Sequence, residues 1–419
     1  MATWPKVKLA DCVNLLAGFP FKSQQFTDKP DDLPLVKGEN VSQGCILWDI
    51  SKRWPALDWD KLEKFHLLPG DIIIAMDRPW VPAGLKWSFI RAGDPKALLV
   101  QRCARLRSCN GRLDQNFLRF VIGSPGFEGY VKPITTGVNV PHISGQQILD
   151  YEFMLPPLPV QRRIAGILSA YDELMENSQR RIRLLEAMAR ALYREWFVHF
   201  RFPGHEKLPR VASPLGDIPR GWEVKTVADS FEISGGGTPS RKEEKYWDGG
   251  TIQWFAPSGL TAADTMFMDD SPEHITELGL TESSARLFPA FSVMLTSRAT
   301  IGAIAVNTHE ACTNQGFITC LPNERTPLYF LFHWLTENVP QFERMASGAT
   351  FKELSRGVFK TIEFLHPAPA LVRHFESRVE PMGKQMLALQ RQIQNLRRTR
   401  DLLLPRLLSG QVELKTEAA

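Results

Sequence analysis

Apolar side chains follow a heptad pattern in the segment that begins near residue 158. Seven of them recur at alternating steps of four and three residues, and Ser178 holds the one remaining slot. These seam positions are Tyr171, Met175, Ile182, Leu185, Ala189, Leu192 and Trp196. Such spacing favours a supercoiled pair of helices over a single surface helix. It therefore predicts a long helix that packs against a partner helix.

A second segment near the C-terminus repeats the same steps. Its seam positions are Met382, Met386, Leu389, Ile393, Leu396, Leu403 and Leu407, with Arg400 in the slot that matches Ala189. The differences 382 − 171 and 407 − 196 both equal 211, so the two seams share one register. A repeat at this distance implies two similar halves. We expect a kink or break near Pro381, because proline removes a helical hydrogen bond.

Matches between the two halves extend beyond the helices. Pro289 and Arg298 match Pro69 and Arg78 at an offset of 220 residues. Since a strand-sized apolar run separates the proline from the arginine in each half, Arg78 and Arg298 are predicted to end equivalent strands. The change of offset from 211 indicates that loops differ in length between the halves.

The segments between the helices have mixed local patterns. Ile72–Met76 and Ala97–Leu106 are predicted as strands, and Asn116–Ile122 as a helix. The Pro- and Gly-rich stretch after residue 200 has no periodicity and is typical of a linker. The predicted fold class is α+β, with two similar mixed α/β domains and two long antiparallel helices in a coiled coil with pseudo-two-fold symmetry. The predicted segments are two domains at 1–157 and 221–367, helices at 158–200 and 368–412, a linker at 201–220 and a tail at 413–419.

Composition adds few constraints. A net charge of +4 permits a nucleic-acid partner without requiring one. The six cysteines form no Cys-x-x-Cys pair, which argues against a zinc site and fits a reducing compartment. The apolar runs are too short to span a bilayer, and the first residues lack an apolar signal core. A cytoplasmic protein without membrane contact is therefore expected.

Sequence motifs of nucleotide-binding and acyl-transfer enzymes are missing from the chain. It contains no phosphate-binding loop, dinucleotide fingerprint or Gly-x-Ser-x-Gly, and no Asn/Asp-Pro-Pro-aromatic tetrapeptide typical of base-methylating enzymes. The glycine-rich run at 234–242 has two interpretations. It is either a flexible loop or a set of backbone N–H groups and cations that face phosphate.

Several strings together resemble the specificity subunit of Type I restriction-modification systems, and the resemblance covers nearly the whole chain. The strings lie at residues 155–164, 200–204, 215–222, 235–240, 314–317 and 402–410. Where the second half has Asn314-Gln-Gly-Phe317, the first half has Val100-Gln-Arg-Cys103. The resemblance implies two target-recognition domains, each of which reads one half of a split DNA site, and two spacer helices that hold them apart.

The same resemblance implies the partners and cofactors. The partners are double-stranded DNA, two methyltransferase subunits and the restriction motor-nuclease subunits. The chain has no cofactor of its own: S-adenosylmethionine belongs to the methyltransferase, and ATP and Mg belong to the motor-nuclease. The chain is thus expected to be a non-catalytic scaffold that recognises DNA.

Base recognition needs amides and forked donors in a groove, with cations on phosphates. In the first half, the residues predicted to contact DNA are Lys22, Ser23, Gln24, Arg78, Asn139 and His142. In the second half they are Thr238, Ser240, Arg241, Arg298, Thr300, Thr350 and Lys352. No metal site is predicted.

Three alternatives remain open from the residues alone. The chain could serve another multi-subunit restriction class, or it could be a coiled-coil tether with two protein-binding heads and no DNA. A DNA methyltransferase or nuclease in its own right is the enzymatic alternative, which the missing motifs disfavour. A DNA-binding assay with the methyltransferase present distinguishes the tether from the DNA-binding subunit.

Overall fold

The computed structural model describes residues 4–135, 140–262, 265–348, 352–412 and 414. The chain folds as two compact units. Unit 1 comprises residues 1–177 and 392–419, and unit 2 comprises residues 178–391. Each unit therefore contains one globular region and one segment of each long helix.

Unit 1 contains two four-stranded sheets and three short helices. Its strands are β1 Lys6–Lys8, β2 Val13–Ala17, β3 Leu33–Val36, β4 Arg53–Trp54, β5 His66–Leu67, β6 Ile72–Ala75, β7 Trp80–Val81, β8 Gly84–Leu85, β9 Trp87–Phe89, β10 Ala97–Leu99, β11 Cys103–Ser108 and β12 Glu152–Met154. Its helices are α1 Gln115–Ile122, α2 Pro125–Ile134, α3 Gly145–Leu149 and the first part of α4 Leu158–Tyr193. The sheet orders are β2-β11-β6-β9 and β4-β3-β10-β5.

The position of strand β6 between two cores explains why its sequence is a continuous apolar run. Ile72 and Ile74 face the core that contains α1, whereas Ile73 and Ala75 face the core that contains β3 and β10. Both faces of the strand are therefore buried, which removes the usual alternation of apolar and polar residues. The predicted strand is confirmed, and so is the predicted helix α1, whose first N–H groups are capped by Asp114.

The single strand predicted over Ala97–Leu106 is wrong. Strands β10 and β11 belong to different sheets, and the chain turns between them where the Cys103 N–H donates to the Val100 carbonyl at 3.2 Å. Arg102 lies in this turn with φ of 66°. Only Gln101 and Arg102 separate the apolar residues of the two strands, and so short a polar interruption does not distinguish a turn from one continuous strand.

Unit 2 has a five-stranded and a three-stranded sheet. Its strands are β13 Arg210–Ser213, β14 Gly216–Pro219, β15 Glu223–Thr226, β16 Glu232–Gly235, β17 Ile252–Phe255, β18 Phe267–Met268, β19 Glu273–Ile275, β20 Val293–Arg298, β21 Thr300–Asn307, β22 Ala311–Thr313, β23 Phe317–Leu321 and β24 Glu363–His366. Its helices are α5 Pro257–Ala262, α6 Glu277–Thr281, α7 Leu328–Met345, α8 Arg356–Lys360 and part of α9 Pro369–Leu408. The sheet orders are β16-β23-β20-β21-β18 and β19-β17-β22.

The two units share one topology. In the larger sheets, β2-β11-β6-β9 corresponds to β16-β23-β20-β21. In the smaller sheets, β10 runs parallel to β3, and β22 runs parallel to β17. The fold is thus α+β with two similar mixed domains, as the repeat predicts. One difference from expectation lies in the predicted linker 201–220, where β13 and β14 form a hairpin.

Of the two long helices, α9 is more regular than expected, whereas α4 continues into a π-helical turn at Arg194–Val198 that contains the seam residue Trp196. Helix α9 runs without interruption through Pro381, so the predicted break is absent. Pro381 has no N–H to donate to the preceding helical turn. Burial of Val379 and Met386, on either side of the proline, offsets this lost hydrogen bond. Every predicted seam position is buried or half-buried, whereas Leu184 and Met188 of α4 are exposed.

Within unit 1, the segments of α4 and α9 run in opposite directions. Asp172 contacts Arg400, with 2.7 Å between Oδ1 and Nη1. Earlier on α4, Ile164 shares one hydrophobic cluster with Leu407, which lies later on α9. An increase in residue number along one helix thus accompanies a decrease along the other.

Candidate nucleic-acid interface

Matched backbone hydrogen bonds show which residues are equivalent in the two units. The Met76 N–H donates to the Arg102 carbonyl, and the Ser297 N–H donates to the Gly316 carbonyl, both at 2.8 Å. Met76 and Ser297 each come directly after the last residue of the central strand that pairs with β11 or β23, namely Ala75 and Thr296. The offset in this strand is therefore 297 − 76, or 221 residues, one more than residue identity predicts.

The pairing of Arg78 with Arg298 is consequently wrong by one position. The Arg78 N–H donates to the Pro141 carbonyl at 2.6 Å, and the Ala299 N–H donates to the Lys352 carbonyl at 3.0 Å. Arg78 and Ala299 also share a positive φ, at 44° and 63°. Arg78 thus corresponds to Ala299, because backbone pairing and not residue type fixes the equivalence.

Equivalent positions beside this turn carry opposite charges. Arg298 corresponds to Asp77, and Glu353 corresponds to His142. In unit 1, the Asp77 carboxylate pairs with Arg102 and lies 2.7 Å from His142 Nδ1. In unit 2, Arg298 lies 3.8 Å from Glu353. Burial opposes ionisation of Asp77, but hydrogen bonds from Arg102 and His142 outweigh it and keep the pKa of this carboxyl below its ordinary value.

A groove in unit 1 brings two predicted residues together. Its volume is about 570 Å³, and Ser23 and Arg78 lie in its wall. Lys22 and Gln24 are exposed on the same loop as Ser23 but do not line the groove. Asn139 lies outside the described residues. The groove joins the loop before β3 to the end of β6, which are far apart in sequence.

The groove is predominantly basic. Its charged lining residues are Lys37, Arg78, Lys86, Arg102, Glu39 and Asp77. Lys37 pairs with Glu39 at 2.9 Å, Arg102 pairs with Asp77, and the Lys86 ammonium donates to the Gly38 carbonyl. Among the residues that the structure describes, no carboxylate pairs with the exposed Arg78. Arg78 is therefore the cation in this groove best placed for an anionic ligand.

In unit 2, the residues predicted to contact DNA differ in whether their side chains already have partners within the unit. Arg241 makes a two-pronged ion pair with Glu273 and lies 3.8 Å from the centre of the Trp247 ring. This guanidinium is already committed to partners within the unit. Ser240, Thr300 and Lys352 are exposed. Thr350 lies outside the described residues.

The three glycines at 235–237 are packed against neighbouring backbone, so this part of the run is not a flexible loop. The Gly237 N–H donates to the Thr313 carbonyl at 2.9 Å, and Gly235 pairs with Ile318 in the sheet. A Cβ at Gly236 would overlap the Asn314 carbonyl oxygen. Close approach of two backbones is thus the reason for glycine here.

One pair of exposed glutamines is a further candidate that was not predicted from the sequence. Gln101 and Gln315 are exposed, and each precedes the carbonyl that accepts the matched hydrogen bond at the strand end. Gln315 accepts a hydrogen bond from the Thr238 hydroxyl at 2.7 Å. The sequence did contain one signal of this pair, since the strings 100–103 and 314–317 share a single residue, the glutamine at their second position.

Two other classes of site find no support in the described residues. No cluster of three or more His, Cys, Asp or Glu side chains within them could hold a metal ion. No helix in that part of the chain is long and apolar enough to cross a membrane.

Comparison with known proteins supplies a family. The family described as "Type I restriction modification DNA specificity domain" matches residues 1–187 and 219–370. The specificity subunit of the MjaIX Type I restriction enzyme from Methanocaldococcus jannaschii is 34% identical over 188 residues, which cover 42% of this chain and 43% of that relative. The putative MjaX specificity subunit of the same organism is 22% identical over 392 residues, which cover 91% and 88%.

A solved structure shows a similar fold. The Type I restriction-modification S subunit from M. genitalium has a TM-score of 0.61 at 15% identity, and the match covers 99% of this chain and 97% of that one. At this identity the likeness concerns the fold alone. The match to the MjaIX subunit spans less than half of that relative and less than half of this chain. It therefore shows similarity over that part of the chain only.

Proposed function

The chain belongs to the family of Type I restriction modification DNA specificity domains, and from this premise we propose that it is the DNA-recognition subunit of a Type I restriction-modification complex. It carries out no catalytic step itself. Each globular region recognises one half of a split, asymmetric DNA site. The complex acts in the cytoplasm, where the DNA is.

One observation supports the split site above all others. The two units keep the same backbone hydrogen bonds at the ends of equivalent strands, yet the exposed side chains there differ. A frame used twice with different side chains can present two different recognition surfaces. In a symmetric dimer the half-sites would be identical, whereas here they differ.

The exposed polar residues near these turns supply the chemistry. Arginine donates two hydrogen bonds to guanine or to phosphate, and lysine binds phosphate as a point charge. Arg78 and Ser23 serve unit 1 in this role, and Arg298, Thr300 and Lys352 serve unit 2. Lys22, Gln24 and Ser240 flank these positions and contact the DNA backbone.

The partners follow from the family. We propose that two methyltransferase subunits bind the chain and supply S-adenosylmethionine, and that restriction subunits supply ATP and Mg. Relatives named specificity subunits of Type I restriction enzymes support this assignment.

The two long helices set the number of unread base pairs between the half-sites. Helices α4 and α9 contain 36 and 40 residues. At ~1.5 Å per residue, a four-residue insertion in both adds ~6 Å, which corresponds to about one or two base pairs at ~3.4 Å each. The methylated motif of such a variant should have a correspondingly longer spacer. An unchanged spacer would contradict this role of the helices.

Methylome sequencing tests the proposed function directly. A host that carries the chain with its methyltransferase partners should show one split motif with unlike halves. The same host without this chain should lose that motif while it keeps all other methylation. A continuous motif, or the same motif in both hosts, would refute the proposal.

A further inference from the structure

We propose that Gln101 and Gln315 are equivalent base-contacting residues, one in each unit, and that Thr238 orients Gln315 as a hydrogen-bond donor. This inference rests on the proposed function, because it assigns a ligand within the same DNA site. The ligand is the edge of a base in the major groove.

Packing on both sides of the two glutamines establishes their equivalence. On the N-terminal side, glycine packs against the preceding carbonyl: Gly18 meets Val100, and Gly236 meets Asn314. A Cβ on either glycine would overlap that carbonyl oxygen. On the C-terminal side lie the carbonyls that accept the matched strand-end hydrogen bonds. Each glutamine is therefore held at the same point of the fold by its backbone.

The two side chains also share their surroundings. Gln101 lines the basic groove together with Arg78 and Arg102. Gln315 precedes Gly316, and Gly316 is close to Arg298. A Cβ added to this glycine would lie 3.9 Å from the Arg298 Cβ. An exposed amide beside an arginine is suited to base recognition, since the cation holds phosphate or guanine while the amide contacts a neighbouring base.

Thr238 makes the two amides chemically different. Its hydroxyl donates to Gln315 Oε1 at 2.7 Å, which occupies the acceptor of this amide and leaves its Nε2 donors for a ligand. Two N–H donors match the acceptor edges of guanine O6 and N7 or thymine O4. Adenine and cytosine are disfavoured, because each presents an amino group at that edge.

Gln101 has no such restraint. The position equivalent to Thr238 is Pro20, two residues after Gly18, and proline has no hydroxyl. Within the described residues, no hydrogen bond restrains the side-chain amide of Gln101. The group can therefore present its donor and its acceptor together, which is the two-point match to adenine N7 and N6.

The test uses the complete complex with its methyltransferase partners, and its readout is the methylated motif. Gln315→Ala should relax one base of one half-site, with roughly a 10- to 100-fold loss of discrimination there. Gln101→Ala should do the same in the other half only. Gln146→Ala, which changes an exposed glutamine on α3, is the matched control and should leave the motif intact.

Thr238→Val separates orientation from contact. The variant keeps the shape of the side chain but lacks the hydroxyl, so adenine should become tolerated at the base that Gln315 recognises. Gln315→Glu keeps the volume and replaces the donors with a carboxylate, which should shift preference towards cytosine. The melting temperature of the Gln315→Glu variant should equal that of the wild type. A change in recognition then cannot be attributed to a loss of folding.

The outcomes distinguish this inference from the proposed function. A split wild-type motif that is unchanged in Gln101→Ala and Gln315→Ala overturns the inference and leaves the proposed function intact. Equal loss of methylation at all sites with an unchanged motif also overturns it, because that result indicates phosphate contact. A wild type without any split motif removes the proposed function and this inference together.

Discussion

Unit 1 and unit 2 keep the same hydrogen-bonded frame but exchange the charges that it displays. The turn after β6 pairs Asp77 with His142, whereas the equivalent turn in unit 2 pairs Arg298 with Glu353. The backbone bonds on either side are the same in both. Since backbone groups hold the frame, the side chains at this edge are free to differ. Under the proposed function, one fold thus presents two different surfaces to DNA.

The contacts of the long helices differ just as clearly. In unit 1, Asp172 of α4 lies between Arg119 and Arg400, at 2.6 and 2.7 Å. In unit 2, an aromatic cluster forms in which Phe375 of α9 contacts Tyr193 and Phe197. Both units bury apolar residues of these helices, but unit 1 adds an ionic contact and unit 2 adds aromatic contacts. Ionic and apolar contacts respond differently to substitution, salt and pH.

The largest expected effect is in the aromatic cluster. Phe375 is fully buried, so Phe375→Ala should destabilise unit 2 by about 3–5 kcal/mol. Denaturant titration followed by tryptophan fluorescence measures this loss. Phe375→Leu retains most of the apolar volume and should cost clearly less. Equal stability of the alanine variant and the wild type would contradict the account of this cluster.

The ionic contact of unit 1 should be the next most sensitive. Asp172→Ala leaves Arg119 and Arg400 facing each other without a carboxylate, and partial exposure reduces the cost to about 2–3 kcal/mol. Thermal unfolding should show this loss. Glu173→Ala removes an exposed carboxylate from the same helix and should change stability by less than about 0.5 kcal/mol. Matching losses in the two variants would mean that general charge matters more than the ionic contact.

Unit 2 should also show a pH dependence from Glu376. Burial raises the pKa of this carboxyl to about 7, although it accepts a hydrogen bond from the Phe330 N–H. The folded state therefore binds the proton more tightly, and stability falls as pH rises from about 4.5 to 7. Glu376→Gln should raise stability by about 1–2 kcal/mol at pH 8 and change it little at pH 5. Melting curves at both pH values test this, and equal shifts at the two would argue against it.

The smallest expected effect is the difference between Arg78 and Arg298 in their contributions to DNA binding. Arg78 lacks a carboxylate partner among the described residues, whereas Arg298 is paired with Glu353. Arg78→Ala should therefore weaken binding of the complex to its specific duplex by about 1–3 kcal/mol, and Arg298→Ala by less. Titration of cognate DNA at several salt concentrations measures both. A larger loss for Arg298→Ala would show that the ion pair opens on binding.

The sequence predicted the repeat and the helices well because periodicity is a property of many residues. The seam offset of 211 recurs between the residues that pair with β1 and β15: Glu152 faces Lys8, and Glu363 faces Thr226. The regular spacing of apolar residues survives single exceptions such as Ser178. Continuity of α9 through Pro381 was not predictable, since it depends on burial around the proline.

Prediction was weaker where equivalence depends on backbone pairing. Arg78 and Arg298 match by residue type, yet hydrogen bonds pair Arg78 with Ala299. Gln101 was overlooked because the polar pair Gln101-Arg102 is compatible with one continuous strand as well as with a turn, and Gln315 was overlooked with it. Neither feature leaves a periodic signal, and each needs the positions of distant strands.

Exchange of one recognition domain tests the central claim most directly. Residues 221–367 would be replaced by the corresponding region of a relative with a known motif, and the methylome of the host would be sequenced. The account predicts that one half of the split motif changes while the other half and the spacer remain. A motif in which both halves change, or neither does, would contradict the claim that each domain recognises its own half-site.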